Sequence, residues 1–149
     1  RVYDMLSPHG ECCINAGGDV RVSATYAPPN TQLGWPITLE SPFGASHPLT
    51  TFNLRNQAAA TSGIHRRWWH AHGREQHHLI DPNRQSPIHN PLLCITVVAP
   101  TAIEAEIATK AAFVLGVNDG WTWLKARNLP ALMVLRDGRW FGDLPTPMA

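Results

Sequence analysis

The chain is short of charge, of cysteine and of long apolar runs. Charged residues make up 15% of its 149 positions and cancel to a net +1 with histidine neutral. It therefore lacks the basic field that draws nucleic acid or an anionic membrane surface, and nucleic acid is not an expected partner. Only below about pH 6.5, where its eight histidines protonate, does it become clearly cationic. Three cysteines, two of them adjacent at Cys12 and Cys13, make no disulfide framework and are expected as small buried hydrophobes. No run reaches the roughly 20 apolar residues of a membrane span, so membrane association is expected only through an anchor upstream of Arg1. The chain has no initial Met. It opens among Val2, Met5 and Leu6 at helical spacing, which reads as the end of a helix in a piece of a longer protein.

What is present is one domain's worth of globular sequence, 1–144, with a short tail at 145–149. Its polar, titratable and aromatic groups crowd into Ala60 to Pro82, ATSGIHRRWWHAHGREQHHLIDP. Buried polar atoms cost free energy unless they find partners, so such a cluster more often lines a site than a core. Around it, Glu11 to Thr25 reads as strand, Gly-Gly-Asp turn, strand. Trp35 to Leu39 and Pro48 to Leu54 read as short strands. Arg67 to Trp69 and His77 to Ile80 read as two more, joined around His72-Gly73-Arg74, with alternation placing only one of Trp68 and Trp69 inward. LLCITVVA, Leu92 to Ala99, is a continuous apolar run of strand length between prolines and predicts a central strand buried on both faces.

The clearest helix is Thr101 to Gly116. Thr101 and Glu104 match the capping box, and Ile103, Ile107, Ala111 and Val114 predict the buried face. A shorter helix is expected over Gly120 to Lys125, and Asp137-Gly138 marks a hairpin between Leu129–Leu135 and Arg139–Phe141. Antiparallel strands with one strong helix give an α+β class.

Four motifs occur in order: Asn15-Ala16-Gly17-Gly18-Asp19, Ala60-Thr61-Ser62-Gly63, His77-His78-Leu79-Ile80-Asp81-Pro82, and the strand-helix unit from Thr96 to Gly116. Together they resemble the C-terminal half of the ApbE family, the FAD:protein FMN transferases, over nearly the whole chain. The resemblance implies a T-fold-like architecture, FAD as substrate, and Mg²⁺-assisted pyrophosphate cleavage with attachment of FMN to a Thr or Ser of a target protein. It makes His78 the base or acceptor-orienting group, with Asp81 fixing its loop or orienting it. It assigns Asn15, Gly17, Gly18, Asp19, Thr61, Ser62, Gly63, Arg67, His77 and Ile80 to the flavin and phosphate pocket. It also implies an extracytoplasmic, lipid-anchored bacterial protein; without that resemblance a cytoplasmic location is the expectation.

Two departures accompany it. Counted back from Phe113-Val114-Leu115-Gly116, the family's metal-binding Asp and Thr fall on Glu106 and Lys110. Glu106 remains an oxygen ligand, whereas a protonated lysine cannot be one and supplies a cation of its own. After Asp81-Pro82, the family's Arg-Thr-Gly is replaced by Asn83-Arg84-Gln85-Ser86. The alternatives are an ApbE-like FAD-binding domain without transfer, and a transition-metal site built from His70, His72, His77 and His78.

Overall fold

The computed structural model describes residues 2–23, 34–44, 47–71 and 73–145. The elements are α1 (Val2–Leu6), β1 (Cys13–Ala16), β2 (Asp19–Val22), β3 (Trp35–Leu39), β4 (Thr50–Leu54), β5 (Ala58–Gly63), β6 (Trp68–Ala71) and β7 (Arg74–His77). They continue with β8 (Ile80–Asp81), β9 (Ser86–Pro87), β10 (Leu92–Ala99), α2 (Ala102–Leu115), α3 (Val117–Lys125), β11 (Ala131–Leu135) and β12 (Trp140–Gly142). Six strands form one antiparallel sheet in the order β1-β2-β5-β10-β11-β12; β3-β4, β6-β7 and β8-β9 are separate two-stranded ladders. The α+β expectation holds. No helix among the described residues is long and apolar enough to cross a membrane.

The run LLCITVVA occupies β10 at the expected bounds, paired to β5 on one side and β11 on the other. Its continuous hydrophobicity has a direct cause, because both faces of the sheet are covered. Ile95 and Val97 point into a core with Ala108, Ala112, Phe113 and Leu124 of the helices. Cys94 and Val98 point the other way, toward Phe52, Leu54, Val20 and Leu132. The β3-β4 hairpin lies over this second face, and Trp35, Ile37 and Leu39 pack against it.

Helix α2 starts where its capping box places it. Glu104 N–H donates to Thr101 Oγ1 at 3.2 Å, and Thr101 N–H donates to Glu104 Oε2 at 3.0 Å. Such a cap contributes about 1 kcal/mol. The buried face differs from the expectation. Ala105, Ala108, Thr109, Ala112 and Phe113 face the sheet, whereas Ile103 and Ile107 are 73% and 61% exposed, and Val114 and Leu115 also lie open. The reason is steric: Ala60, Ala99 and Ala105 form one cluster, and small side chains let α2 lie close against β5. The larger residues form a second apolar stripe on the outside of the same helix.

Other expectations shift in detail. Of the cysteines only Cys94 is buried, where burial pushes its thiol up to about 12; Cys12 is partly exposed and Cys13 exposed. Trp68 and Trp69 are both about half exposed, because the β6-β7 ladder stands outside the main sheet and turns inward mainly at His77. The strand expected from His77 to Ile80 breaks at His78-Leu79 and resumes as β8. The tail begins in contact with the domain, since Pro145 carbonyl accepts from Asn53 N–H at 2.9 Å. The rest of it lies outside the described residues.

Candidate functional site

The Gly-Gly-Asp turn is the tightest kind of hairpin. Ala16 pairs with Asp19 across two residues, and Gly17 and Gly18 have φ of 70° and 107°. Positive φ at both central positions matches the twist of the flanking strands and strongly favours glycine. Asn15 Oδ1 accepts from Gly18 N–H at 2.9 Å, so Asn15 organises the turn. The turn delivers Asp19 to the edge of β2, half-buried, where its carboxylate accepts a hydrogen bond from the Thr61 amide.

Asp19 lies beside two residues of α2. Burial and the negative charge of Glu106 push its carboxyl above the usual range, while the Thr61 amide and the Lys110 ammonium oppose that rise. Lys110 Nζ is ion-paired to Glu106 Oε1, one helical turn earlier on the same helix. Asp19, Thr61, Glu106 and Lys110 thus form one polar patch where β2, β5 and α2 meet. The sequence had joined Glu106 to Lys110; the approach of Asp19, 87 positions from Glu106 in the chain, carries no local signal.

The Ala-Thr-Ser-Gly segment is built into β5 and its groups are largely committed to the fold. Thr61 Oγ1 lies 2.8 Å from Thr96 Oγ1 on β10. Ser62 is buried with its hydroxyl 2.8 Å from Thr109 Oγ1, and Thr109 Oγ1 in turn donates to the Glu106 carbonyl at 2.9 Å. Ser62, expected to hold phosphate or ribose, instead ties α2 to the sheet in a site closed to solvent. Gly63 is small for a similar reason. A Cβ there would stand 2.6 Å from Cys94 Cβ and 3.1 Å from the Leu93 carbonyl, so the close approach it permits is to β10.

The His-His-Leu-Ile-Asp-Pro segment divides its residues between core and surface. His77, expected in the pocket, is 1% exposed, with Nε2 3.0 Å from the Ile88 carbonyl; burial holds its imidazole below the ordinary histidine range. That inward turn also removes it from any surface metal cluster with His70 and His78; His72 lies outside the described residues. Leu79 is buried against Ile64, Ile88 and Leu92 and anchors the loop. Between these two anchors His78 is exposed, and Ile80 is 47% exposed. Asp81 Oδ1 accepts from the amides of Asn83 at 2.8 Å and Arg84 at 3.2 Å, and the Gln85 amide donates back to the Asp81 carbonyl at 2.8 Å. Asp81 therefore fixes the turn that follows His78, the first of the two roles open to it. Arg67 is exposed, and its neighbour Arg66 pairs with Glu40 at 2.5 Å.

These elements match a known family. A model described as the ApbE family matches residues 1–133. This chain belongs to the ApbE family. It is 30% identical over 141 residues to an FAD:protein FMN transferase of Klebsiella pneumoniae, covering 92% of the chain and 42% of that protein. It superposes on an ApbE crystal structure from Thermotoga maritima with a TM-score of 0.71 at 26% identity, covering 89% of the chain and 42% of that structure. The apo form of the Pseudomonas stutzeri flavinyl transferase ApbE gives a TM-score of 0.75 at 24% identity and shares the fold. The chain thus spans less than half the length of the relatives it matches.

A groove that the sequence did not point to lies at the start of β10, lined by Glu75, His89, Asn90, Pro91 and Arg136. Arg136 Nη2 donates to Glu75 Oε1 at 2.9 Å and joins the β6-β7 ladder to the end of β11. The two residues stand 61 positions apart, so neither marks the other in the sequence.

Proposed function

We propose that this ApbE family chain carries the transfer half of an FAD:protein FMN transferase, attaching FMN to a Thr or Ser of an acceptor protein. The observation that carries the reading is His78. It is exposed between two buried residues, His77 before it and Leu79 after it, and the Asp81 turn fixes the chain beyond. An imidazole presented this way is open to an acceptor hydroxyl arriving from solvent.

In the proposed step the acceptor hydroxyl oxygen attacks the phosphorus of the FMN moiety. A new P–O bond forms, the anhydride P–O bond breaks, and AMP leaves with the electron pair. The hydroxyl proton passes to His78 Nδ1 or Nε2. Charge building on the phosphoryl oxygens calls for fixed positive groups. Lys110 stands at the edge of the Asp19 patch for that purpose, and the exposed Arg67 is the second cation assigned to phosphate.

The test is transfer from FAD to a Thr-containing acceptor peptide, followed by flavin fluorescence of the peptide. His78→Ala should lose about 10²- to 10⁴-fold in rate, the usual contribution of a positioned acid–base group, while FAD binding persists. Transfer by His78→Ala at the parent rate would overturn the assignment. A second reading, flavin binding without transfer, is favoured by Lys110, ion-paired to Glu106 where the family has its metal-binding Thr, and by the altered loop after Asp81-Pro82. FAD binding by the parent chain without any transfer would select it.

A further inference from the structure

The family resemblance brings a magnesium ion, and the donor set of this chain can be compared with what such an ion needs. Mg²⁺ demands near-octahedral oxygen coordination, with one or two carboxylates that face the ion. On α2 the available carboxylate is Glu106, and it is already bonded to the Lys110 ammonium. Thr109, the nearest hydroxyl on the helix, is buried and turned toward Ser62, and α2 is regular from Ala102 to Leu115. Among the described residues no three His, Cys, Asp or Glu side chains converge on one point. The residues present do not fit a resident magnesium ion.

What they do fit is an internal cation. Two carboxylates brought together from β2 and α2 repel each other unless something positive lies with them. Strand β2, which opens with Asp19, packs against α2, and on that helix Lys110 is ion-paired to Glu106, so all three groups belong to one patch. Lys110 is half exposed, so it can bond Glu106 and still present donors outward. We infer that the Lys110 ammonium, held by Glu106 beside Asp19, takes the place of a divalent cation in this chain, so that a phosphate bound at this patch meets lysine instead of a metal ion. The part of this that concerns phosphate rests on the flavin reading above; the part that concerns the cation does not.

The experiment separates the two. Mn²⁺, a spectroscopic probe for magnesium sites, is titrated into the parent chain, Glu106→Gln, Lys110→Thr, and Lys110→Thr combined with Glu106→Gln, with free Mn²⁺ read by electron paramagnetic resonance. Both positions are partly exposed, and circular dichroism checks that each variant is folded. The parent should bind no Mn²⁺ at this patch. Lys110→Thr should bind it more tightly by about tenfold or more, the least expected when a unit charge a few ångströms from a divalent ion is removed. Adding Glu106→Gln should abolish the gain. Mn²⁺ binding by the parent that is lost in Glu106→Gln would overturn the inference, as would a Lys110→Thr variant that gains none. In parallel, FAD binding by the parent should be equal in EDTA and in excess Mg²⁺; a requirement for Mg²⁺ would also overturn it. If neither condition gives FAD binding, the flavin reading fails while the Mn²⁺ result still decides the cation's place.

Discussion

Gly120 sits inside α3, and rules of local propensity and tertiary structure give opposite predictions for Gly120→Ala. By propensity alone, alanine in place of an interior helical glycine stabilises by about 1 kcal/mol. Gly120 has ordinary helical backbone, so conformation gives no reason to keep glycine. The packing does. A Cβ at Gly120 would stand 2.4 Å from the Ala112 carbonyl oxygen, 3.1 Å from its carbon and 3.2 Å from its Cα. These are backbone atoms of α2 that cannot swing aside, and α2 is fixed to β5 by the Ser62–Thr109 bond. To bring the contact to an ordinary 3.4 Å or more, α3 has to move away by roughly 1 Å, a displacement that costs close-packed helices about 1–3 kcal/mol. That movement loosens Leu124, fully buried, and Trp121 and Trp123, which pack on the same core. The packing cost exceeds the propensity gain, and the expected net result is a destabilisation of up to about 2 kcal/mol. At roughly 2–4 °C per kcal/mol for a domain of this size, the melting temperature should fall by several degrees. Thr122→Ala, at an exposed position of the same helix, gains propensity without a clash and should raise it slightly. Thermal and urea unfolding followed by circular dichroism measure both. A Gly120→Ala variant as stable as the parent, or more so, would refute the argument that the α2–α3 contact sets this residue.

Two further outcomes follow from buried polar groups. Thr109→Val leaves the Ser62 hydroxyl without its partner and should cost about 1–3 kcal/mol, whereas Ser62→Ala leaves Thr109 still bonded to the Glu106 carbonyl and should cost less; the double variant should cost clearly less than the sum, measured as a double-mutant cycle in urea. A strictly additive pair would mean that the bond does not couple α2 to β5. His77 is held neutral by burial, so in acid the unfolded chain takes up a proton that the folded chain resists. Its stabilising contribution is therefore complete above about pH 6.5 and is lost as pH falls from there toward the depressed folded value. His65, lowered by burial and by Arg66, adds in the same direction. Urea midpoints should drop between pH 7.5 and 5.5 with a slope that His77→Gln reduces; an unchanged slope in that variant would remove His77 from the explanation.

Much of this protein is written in local sequence. The β10 run, the capping box of α2, the Gly17-Gly18 turn and the Asp137-Gly138 hairpin depend on interactions within a few residues, and their positions follow directly. The order of four short motifs was enough to recognise the family. Tertiary structure decided which face of α2 is inside, because the choice between the isoleucine stripe and the alanine stripe depends on how closely β5 allows a helix to approach. It decided that of two adjacent histidines His77 enters the core and His78 stays in solvent, a matter of where the Ile88 carbonyl and the Leu79 pocket lie. It also brought Asp19 to Glu106 and Lys110, since a hairpin turn and a mid-helix ion pair have no local interaction by which to find each other. Periodicity and propensity act over a few residues; charge clusters and close packing act across whatever the sheet brings together.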